Sequence, residues 1–262
     1  MSMKIAVSRQ DGRQKAAAKE LEHRGYTVMT PHQQQPADLL VVSIPFQPSQ
    51  EELQQFCACV KPGGLVFAGM PSQSAMEAFA AQQVQVVDYA KREEMALLNA
   101  IPTAEGCLRI LMERRTKTIW GSKVVITGFG RIARLLVRDC MTLGAQVVVI
   151  ARNPAQRAEA QSWGCVALPL KELKQQAKEG DIFINTVPSL LFTAEILQQM
   201  QKDAMVIDLA SAPGGVDFEQ GEKLGISVAW ERGLPARCAP ETAGWILAHT
   251  IESMLEERGD ME

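Results

Sequence analysis

Lys123–Val124–Val125–Ile126–Thr127–Gly128–Phe129–Gly130–Arg131–Ile132–Ala133 is the stretch on which the fold turns. A short, largely β-branched run ends in a G-x-G-x-x-A turn that leads straight into a helical pattern. Each part has its own task toward a bound pyrophosphate. Gly128 allows the tight turn, Gly130 lacks the Cβ that would hold a phosphate off the backbone, and Ala133 lets the helix pack on its strand. The helix start adds N–H groups and the positive end of the helix dipole. Gly128, Phe129, Gly130, Arg131 and Ile132 are therefore expected to contact a dinucleotide. A second strand, Gln146–Val147–Val148–Val149–Ile150, then runs out into Ala151–Arg152–Asn153. About twenty residues beyond the glycines, a chain built for NAD carries Asp or Glu to hold the ribose 2′-hydroxyl. Here Arg152 stands in that region, and a guanidinium suits a 2′-phosphate. Arg152 and Asn153 thus point to NADP.

The rest of the chain sets bounds on this reading. Its 262 residues are enough for one large α/β unit or two ordinary domains. A hydrophobic content of 47% supplies a real core, and a net charge of −3 gives no electrostatic case for nucleic acid or anionic membrane. No apolar run is expected to approach the roughly 20 residues that span a bilayer. The chain enters a strand at Lys4–Ile5–Ala6–Val7 without the pattern of a signal peptide, so a cytoplasmic protein is expected. The six cysteines, at 57, 59, 107, 140, 165 and 238, show no C-x-x-C spacing and read as buried free thiols. No metal site is expected.

Two βα-alternating blocks follow from the pattern. The first has strands at 4–7, 26–29, 39–44, 65–68 and 84–88, with helices over about 12–24, 50–59 and 74–82 and a turn at Lys61–Pro62–Gly63–Gly64. The second has strands at 123–127, 146–150, 165–167, 181–185, 205–208 and 227–230. The expected fold is α/β: two doubly wound parallel-sheet domains, the first flavodoxin-like and the second a Rossmann dinucleotide-binding domain. Residues 1–115 with 238–262 are assigned to the first and 116–237 to the second. Long helical stretches at 92–115 and 239–257 would cross between them. Pro102 marks a kink or restart in the former, with Thr103 and Glu105 in a new first turn.

Chemistry-bearing residues gather at strand ends and helix starts. Asn185–Thr186–Val187–Pro188 and Asp208–Leu209–Ala210–Ser211 end two strands at the carboxyl edge of the second sheet. Thr186, Val187, Pro188, Asp208, Ala210 and Ser211 are expected near the nicotinamide ribose, with turn capping as the alternative for Asp208 and Ser211. The histidines at 23, 32 and 249 stand at no strand end, so no His–carboxylate relay can be placed, and neither tyrosine has a Tyr-x-x-x-Lys lysine. Three helix starts, at Asp11–Gly12–Arg13–Gln14, Pro102–Gly106 and Gly233–Gly244, could together hold an anion; Asp11, Thr103 and Thr242 are equally ordinary cap types.

Several of these runs resemble one family. Ile101–Pro102–Thr103–Ala104–Glu105–Gly106, Trp120–Gly121–Ser122–Lys123 with the glycine turn, and Asn185–Thr186–Val187–Pro188–Ser189 are similar to the NADP-binding dehydrogenase subunit of dipicolinate synthase. So are Asp208–Leu209–Ala210–Ser211–Ala212–Pro213–Gly214–Gly215–Val216–Asp217–Phe218 and Gly233–Leu234–Pro235 with Ala239–Pro240–Glu241–Thr242–Ala243–Gly244. The resemblance covers 85–250 well, and Asp11, Arg13 and Gln14 are similar to a helix start in that family's first domain; 30–85 matches poorly. It implies an NADP-dependent dehydrogenase that forms pyridine-2,6-dicarboxylate from a cyclic imine dicarboxylate in the mother cell of a sporulating bacterium. The implied partners are the second, flavoprotein-like subunit of dipicolinate synthase and a small dicarboxylate; self-association is left open. The substrate would meet Asp11, Arg13, Gln14, Thr103, Pro235 and Thr242, and Glu105 would accept a proton. Two rival readings stand beside it: an NADP-dependent 2-hydroxyacid or 2-ketoacid reductase, and a non-catalytic NADP-sensing protein.

Overall fold

A computed structural model describes residues 3–31 and 35–259. The chain divides into two compact units, Met1–Pro102 with Pro235–Glu262, and Thr103–Leu234. Each is built on its own parallel sheet.

The first unit contains β1 (Lys4–Val7), α1 (Gly12–His23), β2 (Thr27–Met29), β3 (Ala37–Val41), α2 (Gln50–Ala58), β4 (Val60–Ala68), α3 (Gln73–Ala80) and β5 (Gln85–Asp88). Its strand order is β2-β1-β3-β4-β5, as in a flavodoxin-like sheet. Period two divides the strand side chains between two cores. Ile5, Val7, Leu39, Val41, Leu65 and Phe67 pack with Ala17, Ala18 and Leu21 of α1 and with Leu247 and Ile251. Ala6, Leu40, Val42, Val66 and Ala68 face the other way, onto Phe56, Cys57, Ala75 and Phe79 of α2 and α3. Burial on both faces is why these strands read as continuous apolar runs.

The Lys61–Gly64 turn expected after α2 lies inside β4. A two-residue step on β3, Ala37 to Leu39, faces a five-residue step on β4, Val60 to Leu65. The extra residues loop out as a bulge, with Gly63 at φ +77° and Lys61 Nζ 2.5 Å from the Asp38 carboxylate. Pairing simply resumes beyond the glycines.

A single helix, α4 (Glu93–Arg114), leads from one unit into the other. Pro102 lies within it rather than restarting it, so Thr103 and Glu105 are not first-turn residues. Proline removes one intrahelical donor, yet buried Met95, Ala100, Ala104, Cys107 and Leu111 hold the helix on both sides of it. Contrary to the sequence expectation, α4 is long and apolar enough (mean hydropathy 1.2) to cross a membrane by length and composition; 44% of that window is buried inside the structure.

The second unit continues with β6 (Lys123–Thr127), α5 (Arg131–Thr142), β7 (Gln146–Ile150), α6 (Pro154–Ser162), β8 (Val166–Leu168), α7 (Leu173–Ala177), β9 (Ile182–Asn185), α8 (Ala194–Leu197), β10 (Met205–Asp208), α9 (Phe218–Leu224) and β11 (Ser227–Trp230). The order β11-β10-β9-β6-β7-β8 places the reversal of winding between β6 and β9, the dinucleotide crevice of this architecture. Val125, Val148, Phe183 and Val206 fill one face beneath Leu173, Phe192 and Leu197. The short α10 (Leu234–Cys238) and the long α11 (Pro240–Arg258) close the chain, and α11 lies in the first unit against α1. Their approach is close because Gly244 has no Cβ; one there would stand 2.4 Å from Ala16 Cβ. Five cysteines are buried, Cys238 is half-buried, and all six are free. Burial pushes the Cys140 thiol up to about 12.

Candidate functional site

At the carboxyl end of β6 the chain turns at Gly128, with φ +89° and its N–H donated to Ile150 O at 2.8 Å. A Cβ here would stand 2.5 Å from Thr186 Oγ1 and 3.0 Å from Val187 Cγ2, so only glycine fits. Gly130 differs: a Cβ on it would meet no heavy atom within 4 Å. It begins α5 without a side-chain cap, which leaves the positive end of the helix dipole facing open space. Ala133 is fully buried where the helix meets its sheet.

Gly128–Gly130 line a cavity of about 550 Å³, together with Ile150–Asn153 at the end of β7 and Thr186–Ser189 after β9. That volume lies in the range of small-molecule and cofactor sites, about 300–1,000 Å³. The residues present fit a dinucleotide: a glycine turn whose missing Cβ leaves a cradle, a helix start that follows it, and Arg152 exposed in the lining. Asn153 belongs to the same lining, and its side chain caps α6 by accepting from Ala155 N–H at 2.9 Å, with Pro154 in the first turn. Phe129 is buried against the edge of Trp163, with ring centroids 5.3 Å apart. Arg131 is exposed and Ile132 half-buried, both on α5 outside the lining.

Bonded to the lining residues Thr186 and Val187 is a network that the strand-end motifs only hinted at. Thr127, Asn185 and Asp208 end β6, β9 and β10, and all three are fully buried. Thr127 Oγ1 donates to Asn185 Oδ1 at 2.6 Å, and Asn185 Nδ2 donates to Asp208 Oδ1 at 2.8 Å and to Val187 O at 2.9 Å. Asp208 also accepts Ala210 N–H at 3.0 Å and Gly215 N–H at 2.7 Å. Thr186 Oγ1 donates to Thr127 O at 2.7 Å. The Asp208 carboxyl is thus engaged inside the protein and organises its neighbouring loops. Ala210 is buried beside it, with its carbonyl taken by Trp230 Nε1 at 2.9 Å; Ser211 is exposed. None of the three lines the cavity, whereas Thr186, Val187 and Pro188 do.

The first unit brings several of its expected residues together. Asp11 caps α1 in a capping box: its carboxylate accepts Gln14 N–H at 2.8 Å, and Gln14 Oε1 accepts Asp11 N–H at 3.3 Å. Arg13 pairs with Asp11 at 3.2 Å. Arg13 and Gln14 are buried, and Arg13 Nε and Gln14 Nε2 have no hydrogen-bond partner. The α10–α11 junction lies alongside, since a Cβ on Gly12 would be 3.0 Å from Pro240 Cβ and 3.2 Å from Ala236 O. Pro235 is buried there. Thr242 is exposed on α11 and caps nothing, because Ala239 occupies the cap and Pro240 already begins the helix. Thr103 is half-buried and Glu105 exposed, both within α4.

A His–carboxylate pair does exist. His249 Nε2 lies 3.1 Å from Glu94 Oε1, and the imidazole stacks on Trp245 at 5.1 Å. It sits within α11 rather than at a strand end; His23 is exposed at the end of α1, and His32 lies outside the described residues. Among the described residues no group of three or more His, Cys, Asp or Glu is placed to hold a metal ion.

A family model described as the NAD-binding domain of D-isomer specific 2-hydroxyacid dehydrogenases matches residues 104–215. A dipicolinate synthase subunit of Bacillus subtilis (strain 168) is 39% identical over 194 residues, covering 74% of this chain. The match spans 65% of the length of that relative. This chain is a relative of that dipicolinate synthase subunit. The crystal structure of a dipicolinate synthase chain from Bacillus subtilis covers the whole of this chain at a TM-score of 0.86 and 28% identity, with 98% of that chain covered. Its counterpart from Bacillus halodurans covers 96% of both chains, at 0.82 and 27%. The match at 104–215, to the NAD-binding domain of an oxidoreductase family, thus falls within the second unit.

Proposed function

We propose that this chain is the NADP-dependent dehydrogenase of dipicolinate synthase, which forms pyridine-2,6-dicarboxylate from a cyclic imine dicarboxylate. One observation carries the reading: a chain 39% identical to a dipicolinate synthase subunit presents an arginine, not a carboxylate, in the wall of its dinucleotide cavity. The imine loses water to give a dihydropyridine, which then loses a hydride and a proton and becomes aromatic. NADP, when bound, would supply the hydride acceptor. Aromatisation drives the step, so the protein needs orientation more than an elaborate proton relay.

The residues have separable tasks. Gly128 and Gly130 admit the pyrophosphate, and Arg152 takes the 2′-phosphate. Arg13 and Gln14 bring buried donors without partners, the kind of group a substrate carboxylate would satisfy. Asp11 holds that helix start in place, and Thr103, Pro235 and Thr242 are proposed to complete the substrate contacts. Glu105 is proposed as the proton acceptor. The relative is named as one subunit of its enzyme, which supports a second subunit in partnership; that this subunit is flavoprotein-like, and that the setting is the cytoplasm of a sporulating mother cell, are part of the proposal.

Freshly made imine, NADP and this chain, with and without the flavoprotein-like subunit, should yield NADPH together with the ultraviolet absorbance of the aromatic product. Absence of both in every mixture defeats the proposal. Arg152→Asp is expected to weaken NADPH about 30-fold, since a charge-assisted phosphate contact contributes about 1.5–3 kcal/mol, while NADH changes little. Equal losses in a fluorescence titration would remove Arg152 from the site. Glu105→Gln should lower turnover about 100-fold at unchanged NADPH affinity; unchanged turnover would return Glu105 to an ordinary surface role.

A further inference from the structure

The segment that carries Arg152 is held by a second arginine that does not line the cavity. Arg157, half-buried on α6, sends one nitrogen, Nη1, to Ala151 O at 2.9 Å and to Arg152 O at 2.7 Å. We propose that Arg157 is a positioning residue for NADP specificity: it clamps the two carbonyls at the end of β7 and so aims Arg152 at the 2′-phosphate. The inference rests on the reading of Arg152 given above.

The geometry gives Arg157 two effects. The first is mechanical. Ala151 N–H is taken by Leu168 O at 3.1 Å, Asn153 Oδ1 by Ala155 N–H, and Asn153 O by Arg157 N–H at 3.2 Å. Arg157 adds the two remaining carbonyls, so residues 151–153 are tied at both edges while the Arg152 side chain stays exposed in the wall. A long, flexible side chain loses less freedom on binding when its backbone is already fixed. The second is electrostatic. A carbonyl oxygen is the negative end of its dipole, and two of them turned toward a phosphate would repel it. Arg157 draws both toward a delocalised cation whose planar donors suit this bridging. The sequence gives no warning of it, because Arg157 stands five residues past Arg152 on a helix and reads as a solvated charge.

The test is a double-mutant cycle read by equilibrium titration of NADPH and of NADH. Arg157→Ala is expected to weaken NADPH about tenfold and NADH less than twofold. In an Arg152→Ala background, Arg157→Ala should leave the ratio of the two affinities unchanged, because it acts through Arg152. A purely structural role would weaken both nucleotides alike, and an independent phosphate contact would add its full effect in either background; both results overturn the proposal. If the unaltered chain binds NADH as tightly as NADPH, the Arg152 reading fails and takes this one with it. If the chain prefers NADPH and Arg157→Ala keeps that preference, the clamp alone is refuted.

Discussion

Asp208→Ala is expected to lower the stability of the second unit by about 3–5 kcal/mol, because it strands two buried backbone donors and takes from Asn185 Nδ2 one of its two acceptors, at about 1–3 kcal/mol each, partly offset by relaxation. The donors are Asn185 Nδ2, Ala210 N–H and Gly215 N–H, all bonded to one fully buried carboxyl. Asn185 retains Val187 O as an acceptor, whereas the two backbone groups depend on the carboxylate. Loss of the hub should also loosen 186–189, since Asn185 is what holds Val187 from both sides. Asp208→Asn keeps one acceptor oxygen, so it should cost less than alanine. Thermal unfolding followed by circular dichroism is the check, with a fall of about 10 °C expected for alanine. A fall under about 2 °C would mean that the network contributes little.

Gly130→Ser is expected to separate binding from folding. A Cβ at Gly130 meets nothing in the protein, its φ of −90° suits any residue, and serine is a preferred residue at a helix start. Stability should therefore hold or rise slightly. Nucleotide affinity should fall about 100-fold, or about 2.7 kcal/mol, because the new side chain occupies the cradle proposed for the pyrophosphate. Titration with NADPH beside a melting curve reads both quantities. Unchanged affinity would show that the pyrophosphate does not pass over Gly130.

Much of this protein could be read before its structure, for definite reasons. Lys123–Thr127, Gln146–Ile150, Met205–Asp208 and Ser227–Trp230 are strands at the bounds their patterns set, because apolar runs closed by a glycine turn, a polar loop or a strand-end motif leave little latitude. Lys61–Gly64 and Pro102 misled for one shared reason. Gly and Pro report local preference, while strand pairing on both sides of 61–64 and burial on both sides of 102 override it. The cofactor cavity was legible because the glycine turn acts through its own backbone. Asp208 stands at a strand end, and its bonds to Ala210 and Gly215 are the turn capping that its sequence position also allowed; the bond to Asn185, 23 residues away, left no local pattern. The Arg157 bridge was hidden in the same way. A side-chain bond to a backbone carbonyl five or six residues back leaves no mark on composition or period.

The proposed reaction of this chain is removal of a hydride from a dihydropyridine dicarboxylate and its delivery to NADP. The most direct measurement follows NADPH and aromatic product together in a single-turnover mixture of the full chain, with the flavoprotein-like subunit present and absent. One NADPH formed per pyridine-2,6-dicarboxylate, with NAD a much poorer substitute, is the predicted result. Aromatic product appearing without NADPH, or neither appearing in any mixture, would contradict it.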